Sequence, residues 1–221
     1  KDEVAGFFVA QVGTFVRYFA EGATSNFFDT QIALLNATGR TTTATVRFQQ
    51  PPPIPEVTTM VDLAGIQRVT VNPKALGLTS AEFSTVVEST QPVIADRTMT
   101  WDARGYGSHA ETSVGRPLTR WYFAEGATIA GFDLFYLIQN PRDEEAEVEV
   151  RYLLPAPSPP VVKRYTVAGR SRFNIWVNHE GPELAQAELS AVITSTNQVP
   201  VIAERAMYRP VPGQHFGAGH E

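Results

Sequence analysis

Between residues 145 and 152 apolar and polar side chains alternate without a break. Ala146, Val148, Val150 and Tyr152 share one face, and Glu145, Glu147, Glu149 and Arg151 share the other. A period of two belongs to a strand with one buried and one wet side. Residues 43–48 repeat it, with Ala44, Val46 and Phe48 inward and Thr43, Thr45 and Arg47 outward. The same reading predicts strands near residues 15–21, 28–36, 57–63, 66–72, 83–90 and 92–101, with equivalents further along. Only residues 75–82 and 180–187 read as short helical or irregular turns. About seven strands separated by turn residues, twice over, predict antiparallel sandwiches.

The chain is written twice. Tyr18–Thr24 and Tyr122–Thr128 both read YFAEGAT, a shift of 104 residues. The shift carries Asp29 onto Asp133, Asn36 onto Asn140, Arg47 onto Arg151 and Gly65 onto Gly169. It grows to 106 at Ala81–Ser84 against Ala187–Ser190, and to 108 at PVIADR (Pro92–Arg97) against PVIAER (Pro200–Arg205). Near the ends His109 is matched with His220 in a Gly-rich turn. This period exceeds that of solenoid or propeller repeats, roughly 20–50 residues. The expectation is an all-β chain of two tandem Ig-like antiparallel β-sandwich modules, residues 1–112 and 113–221, each with its own core. A proline-dense loop recurs in both copies, Gln49–Val57 and Leu153–Val161, together holding 8 of the 16 prolines. Proline fixes φ and removes a donor, so these loops read as stiff tips, or as polyproline ligands.

Composition narrows the chemistry. Of 221 residues none is Cys, which excludes disulfides, thiolate metal sites and a thiol nucleophile. The formal charge is −5, with −3 in residues 1–112 and −2 in residues 113–221. The basic residues are scattered, so a nucleic-acid partner is not expected. No apolar run reaches the ~18 residues of a membrane span. No nucleophile elbow, phosphate loop or dinucleotide fingerprint occurs. Neither His109, His179, His215 and His220 nor Asp29 and Asp133 have the spacing of a metal site, so no metal and no cofactor are expected.

One charge pattern stands out. Glu21 follows Phe19 on the inward face of its strand, and Arg97 falls in the apolar row Val93, Ala95, Met99. Glu125 and Arg205 repeat the arrangement. A buried charge is accommodated only when paired, which predicts ion pairs Glu21–Arg97 and Glu125–Arg205. Trp101 and Trp176, at strand ends, are candidates for stacking on a sugar or other ligand. The N-terminal stretch 4–16 is apolar on both alternating faces, with Phe7, Val9 and Phe15 on one and Phe8, Val12 and Val16 on the other. It is the candidate for strand exchange: a trailing strand after the second Gly-His turn is missing from the sequence, and a second copy could fill that groove head to tail.

These residues resemble the WYFAEGAT tandem repeats of large secreted or surface-anchored bacterial proteins. The resemblance covers nearly the whole chain, with Trp121-Tyr122-Phe123 as in the pattern and Arg17 in place of the tryptophan in the first copy. It implies an extracellular or cell-surface β-sandwich array, with neighbouring modules or surface components as partners, and no reaction. The expected role is therefore a non-enzymatic structural repeat protein, in which residues 4–16 either add as a strand to a second copy, head to tail into a filament, or fold back on their own module. The alternative is a carbohydrate- or ligand-binding adhesion module.

Overall fold

The computed structural model describes residues 13–102, 107–211 and 214–220, with side chains through residue 209. In the first half the strands are β1 (Phe15–Phe19), β2 (Ala23–Thr24), β3 (Phe28–Asn36), β4 (Thr42–Gln49), β5 (Val57–Leu63), β6 (Gln67–Val71), β7 (Ala81–Glu82), β8 (Ser84–Ser89), β9 (Val93–Trp101) and β10 (Gly107–Thr112). In the second they are β11 (Arg120–Ala127), β12 (Asp133–Asn140), β13 (Ala146–Leu153), β14 (Val161–Val167), β15 (Ser171–Trp176), β16 (Glu188–Ser195), β17 (Ile202–Val211) and β18 (Gln214–His220). The helical content described is two 3₁₀ turns, Pro73–Leu76 and Val177–His179.

The protein is an all-β, antiparallel fold of the sandwich type. Four four-stranded sheets run in the orders β1-β8-β4-β5, β10-β9-β3-β6, β11-β16-β13-β14 and β15-β12-β17-β18, and β2 and β7 form a small fifth pair. One apolar cluster joins the facing sides of the first two sheets, from Phe19, Ile32 and Leu34 to Val46, Phe48, Val87 and Ala95. A second joins the other two, including Phe123, Leu134, Tyr136, Val148, Tyr152 and Ile193. Each such aliphatic or aromatic side chain stabilises the fold by about 1.5–3 kcal/mol. A third cluster lies between the halves, built from Ala20, Leu137, Ile202 and Ala206.

The repeated residues act as structural fasteners. Thr24 Oγ1 donates to Leu78 O at 2.5 Å, and Thr128 Oγ1 to Leu184 O at 2.6 Å. Asn36 Nδ2 donates to Arg40 O and Ala64 O, and Asn140 Nδ2 to Glu144 O and Val167 O, closing the same hairpin in each half. Gly169 lies where a Cβ would sit 2.0 Å from Asp143 O, and Gly65 where it would sit 2.7 Å from Gly39 O. Arg17 and Trp121 do one job with different chemistry. Arg17 Nε donates to Val93 O at 3.1 Å, and Trp121 Nε1 donates to the equivalent Val201 O at 2.9 Å.

Two expectations need correction. The Gly-His segments are strands, not turns: β10 pairs with β9, and β18 pairs with β17. β18 therefore covers the edge of β17 as β10 covers that of β9. Nor are the histidines equivalent. His109 stands opposite Met99, whereas the residue opposite Met207 is Ala218, and His220 stands opposite Arg205.

Candidate functional site

A buried charge cluster lies where the halves meet. β1 carries Phe19 into the core, and the chain then turns through Ala20 and Glu21. β9 alternates Val93, Ala95, Arg97, Met99 and Trp101 inward, all of them buried, with Arg97 at 0% exposure. Arg97 Nη2 stands 2.9 Å from Glu21 Oε2, and Nη1 donates to Glu21 O at 3.0 Å. The second carboxylate comes from the other half: Arg97 Nη1 reaches Glu204 Oε2 at 2.6 Å. Glu204 lies on the face of β17 turned away from its own core. It also accepts the backbone N–H of Ala20 at 2.8 Å and of Glu21 at 3.1 Å. Tyr208, on the same face, donates to Glu21 Oε1 at 2.6 Å.

The electrostatics follow from burial. Desolvation works against the Arg97 charge, but Glu204 and Glu21 outweigh it and hold its pKa above the ordinary arginine value. Desolvation, then the charge of Glu21 and its hydrogen bond, lift the Tyr208 phenol well above its ordinary value. His109 Nε2 lies 3.3 Å from Glu21 Oε2, yet burial pushes the imidazole pKa down, with Glu21 opposing and Arg97 reinforcing the shift. Both carboxylates accept from the buried guanidinium. Their lone pairs serve as fixed acceptors, the arrangement of a clamp between halves.

Arg172 extends the clamp. Its Nη1 donates to Gly22 O at 3.0 Å and Phe83 O at 3.4 Å, and Asn174 Nδ2 donates to Glu82 Oε2 at 2.7 Å. Burial lowers the Arg172 pKa, and the charges of Glu82, Glu21 and Glu204 oppose this. Gln139 Nε2 donates to Gln49 Oε1 at 3.1 Å, and Arg170 Nη2 meets Glu56 Oε1 at 2.6 Å.

The second copy of the motif is open. Arg205 Nη1 donates to Glu125 O at 2.6 Å, and its ion pair with Glu125 Oε2 is stretched to 3.5 Å. The Glu125 side chain is 73% exposed. Among the described residues no second carboxylate joins Arg205 as Glu204 joins Arg97. A shallow depression beside it is lined by Ala124, Glu125, Gly126, Leu153, Glu188 and Leu189.

The stacking candidates separate. Trp101 is buried beneath β10, 5.5 Å edge-on from the Tyr208 ring and 5.6 Å from His109, so it cannot stack on a ligand. Trp176 is 43% exposed, edge-on to His179 at 4.1 Å, with Nε1 donating to Asp133 Oδ1 at 3.1 Å. Of the strand-exchange segment, Phe7, Phe8, Val9 and Val12 lie outside the described residues. Phe15 opens β1 and pairs with Ser89 of its own half. Among the described residues no three His, Asp or Glu side chains gather as a metal site, and no helix is long and apolar enough to cross a membrane.

Glu204, Tyr208 and Arg172 were not singled out from the sequence. A signal existed in the outward row Ile202, Glu204, Ala206 and Tyr208, which is too apolar for a wet face.

No protein-family model matches the chain, and no curated protein matches it. Among solved structures the chain is similar to the crystal structure of Thermotoga maritima 1070, at 18% identity and a TM-score of 0.43, over 47% of this chain and 91% of that one. It is also similar to the Anabaena sensory rhodopsin transducer, at 28% identity and a TM-score of 0.35, over 40% of this chain and 94% of that one.

Proposed function

We propose that the chain is two tandem β-sandwich modules of a non-enzymatic structural repeat protein, working outside the bacterial cell or on its surface. One observation carries this reading: the side chains repeated between the halves are spent on holding strands and turns. Phe19 and Phe123 fill cores, Thr24 and Thr128 tie loops, Asn36 and Asn140 close hairpins, and the motif glutamates hold arginines. A repeat maintained for chemistry would keep reactive groups unengaged and facing a cleft. The resemblance to WYFAEGAT arrays supplies the cellular setting. An antibody applied to intact, unpermeabilised source cells and to their medium tests it. Labelling of the surface or the medium is expected; labelling that needs lysis overturns the reading.

A second reading draws on Trp176, whose exposed indole beside Phe135 and His179 offers a flat apolar face of the kind that stacks on sugars. A glycan array run with the protein and with Trp176→Ala separates the two. Binding lost in the variant would favour an adhesion module.

A further inference from the structure

The contact between the halves has an unfilled counterpart at each end of the repeat. Outer-face residues of β12, β15 and β17 dock on the turn Ala20–Gly22, the start of β8 and the end of β4. By the repeat, the equivalent outer face in the first half belongs to β3, β6 and β9, and the equivalent receiving surface is Ala124–Gly126 with the start of β16 and the end of β13. Both are open. Ile94, the equivalent of the fully buried Ile202, is 46% exposed. Asp96, the equivalent of Glu204, is also exposed.

The two open surfaces match each other at several positions. Glu204 on Arg97 becomes Asp96 on Arg205, whose second carboxylate position is open. Arg172, which donates to Gly22 O and Phe83 O, becomes Arg68 facing Gly126 O and Leu189 O. At two contact pairs a change of chemistry on one side is met by a change on the other, whereas Tyr208 becomes Thr100 opposite an unchanged glutamate, Glu125. The buried pair Gln139–Gln49 becomes Leu35 and Leu153, polar for polar and apolar for apolar. The ion pair Arg170–Glu56 becomes Ile66, 71% exposed, and Pro160. Tyr122, 69% exposed, takes the place of Tyr18, which packs against the cluster between the halves. A lone substitution would have stranded a buried glutamine or charge; the paired ones leave a surface complementary in both polarity and charge.

We infer that the outer face bearing Leu35, Ile94 and Asp96 docks on the Glu125–Arg205 end of a second copy of this chain, repeating the contact between the two halves. The contact is heterologous, so it propagates rather than closes. It deepens the reading of the chain as a structural repeat and rests on it. It also replaces exchange of residues 4–16 with side-chain docking as the means of assembly.

Sedimentation equilibrium on the full chain tests it with two surface variants, Ile94→Arg on the face and Leu153→Arg on the receiving end. Wild type is expected to gain mass steadily with concentration. Each variant alone is expected to remain a single chain. An equimolar mixture is expected to stop at dimers, twice the single-chain mass, because each dimer retains one blocked face and one blocked end. A wild type that stays a single chain, or stops at a closed dimer, overturns the inference, as does a mixture without dimers. Growth that survives Ile94→Arg overturns this interface while leaving the structural-repeat reading standing. If circular dichroism shows either variant unfolded, Asp96→Arg and Leu153→Gln repeat the experiment.

Discussion

Replacing Arg97 by Met removes the cation shared by Glu21 and Glu204, whose side chains are only 4% and 1% exposed. Both carboxylates are then stranded. Glu204 keeps the N–H donors of Ala20 and Glu21, and Glu21 keeps the Tyr208 hydroxyl, but no positive side chain hydrogen-bonds to either. Breaking a buried pair in this way costs about 3–5 kcal/mol. Arg205→Met is the same substitution at the same motif position, but it releases a Glu125 that already faces water. With its carboxylate in water the stretched pair contributes roughly 0–1 kcal/mol, and the lost hydrogen bond from buried Arg205 to Glu125 O adds about 1 kcal/mol, so this variant should lose much less than Arg97→Met. For a chain of this size 1 kcal/mol moves Tm by about 2–4 °C, so Arg97→Met should melt roughly 6–20 °C lower. Calorimetry with parallel denaturant melts reads both. Removing one stranded charge as well, in Arg97→Met/Glu204→Gln, should return part of the loss. Equal losses at Arg97 and Arg205, or a loss under about 1 kcal/mol at Arg97, would refute the assignment of the cluster as a buried clamp.

Two further outcomes are expected. Because burial lowers the His109 pKa, the unfolded chain binds a proton that the folded chain refuses at pH values below the ordinary value of about 6.5. Stability contributed by neutral His109 is therefore complete above that pH and is lost as pH falls, and the slope of Tm against pH on the acid side should be shallower in His109→Gln. Asn36→Ala and Asn140→Ala each leave turn carbonyls and an N–H unpaired. Each should cost about 1–3 kcal/mol by denaturant melt, and by similar amounts, since the two asparagines hold the same hairpin.

Alternation placed β4 and β13 with the correct faces inward, because each strand is wet on one side and its polarity records that. The repeat carried the same strands into the other half. In the sequence the β10 segment reads as a turn because Gly105–His109 lacks branched residues. Gly107 is there for proximity instead: a Cβ would sit 2.0 Å from Trp101 Nε1. Missing that strand also left Trp101 looking like an exposed strand end. The Glu21–Arg97 contact was legible because a charge in an apolar row demands a partner. Glu204 was not, because alternation says only that it points away from its own core. What it points toward depends on how the halves meet, which local periodicity does not encode.

Similar neighbours in one chain risk pairing with the wrong copy while they fold. The Gln139–Gln49 contact guards against this. Were the Leu35 face of one chain to settle on the Gln49 end of another, it would bury an amide against a hydrocarbon surface with nothing to bond. If copies dock as inferred, sequence drift between the halves works as a key, admitting each surface to one lock.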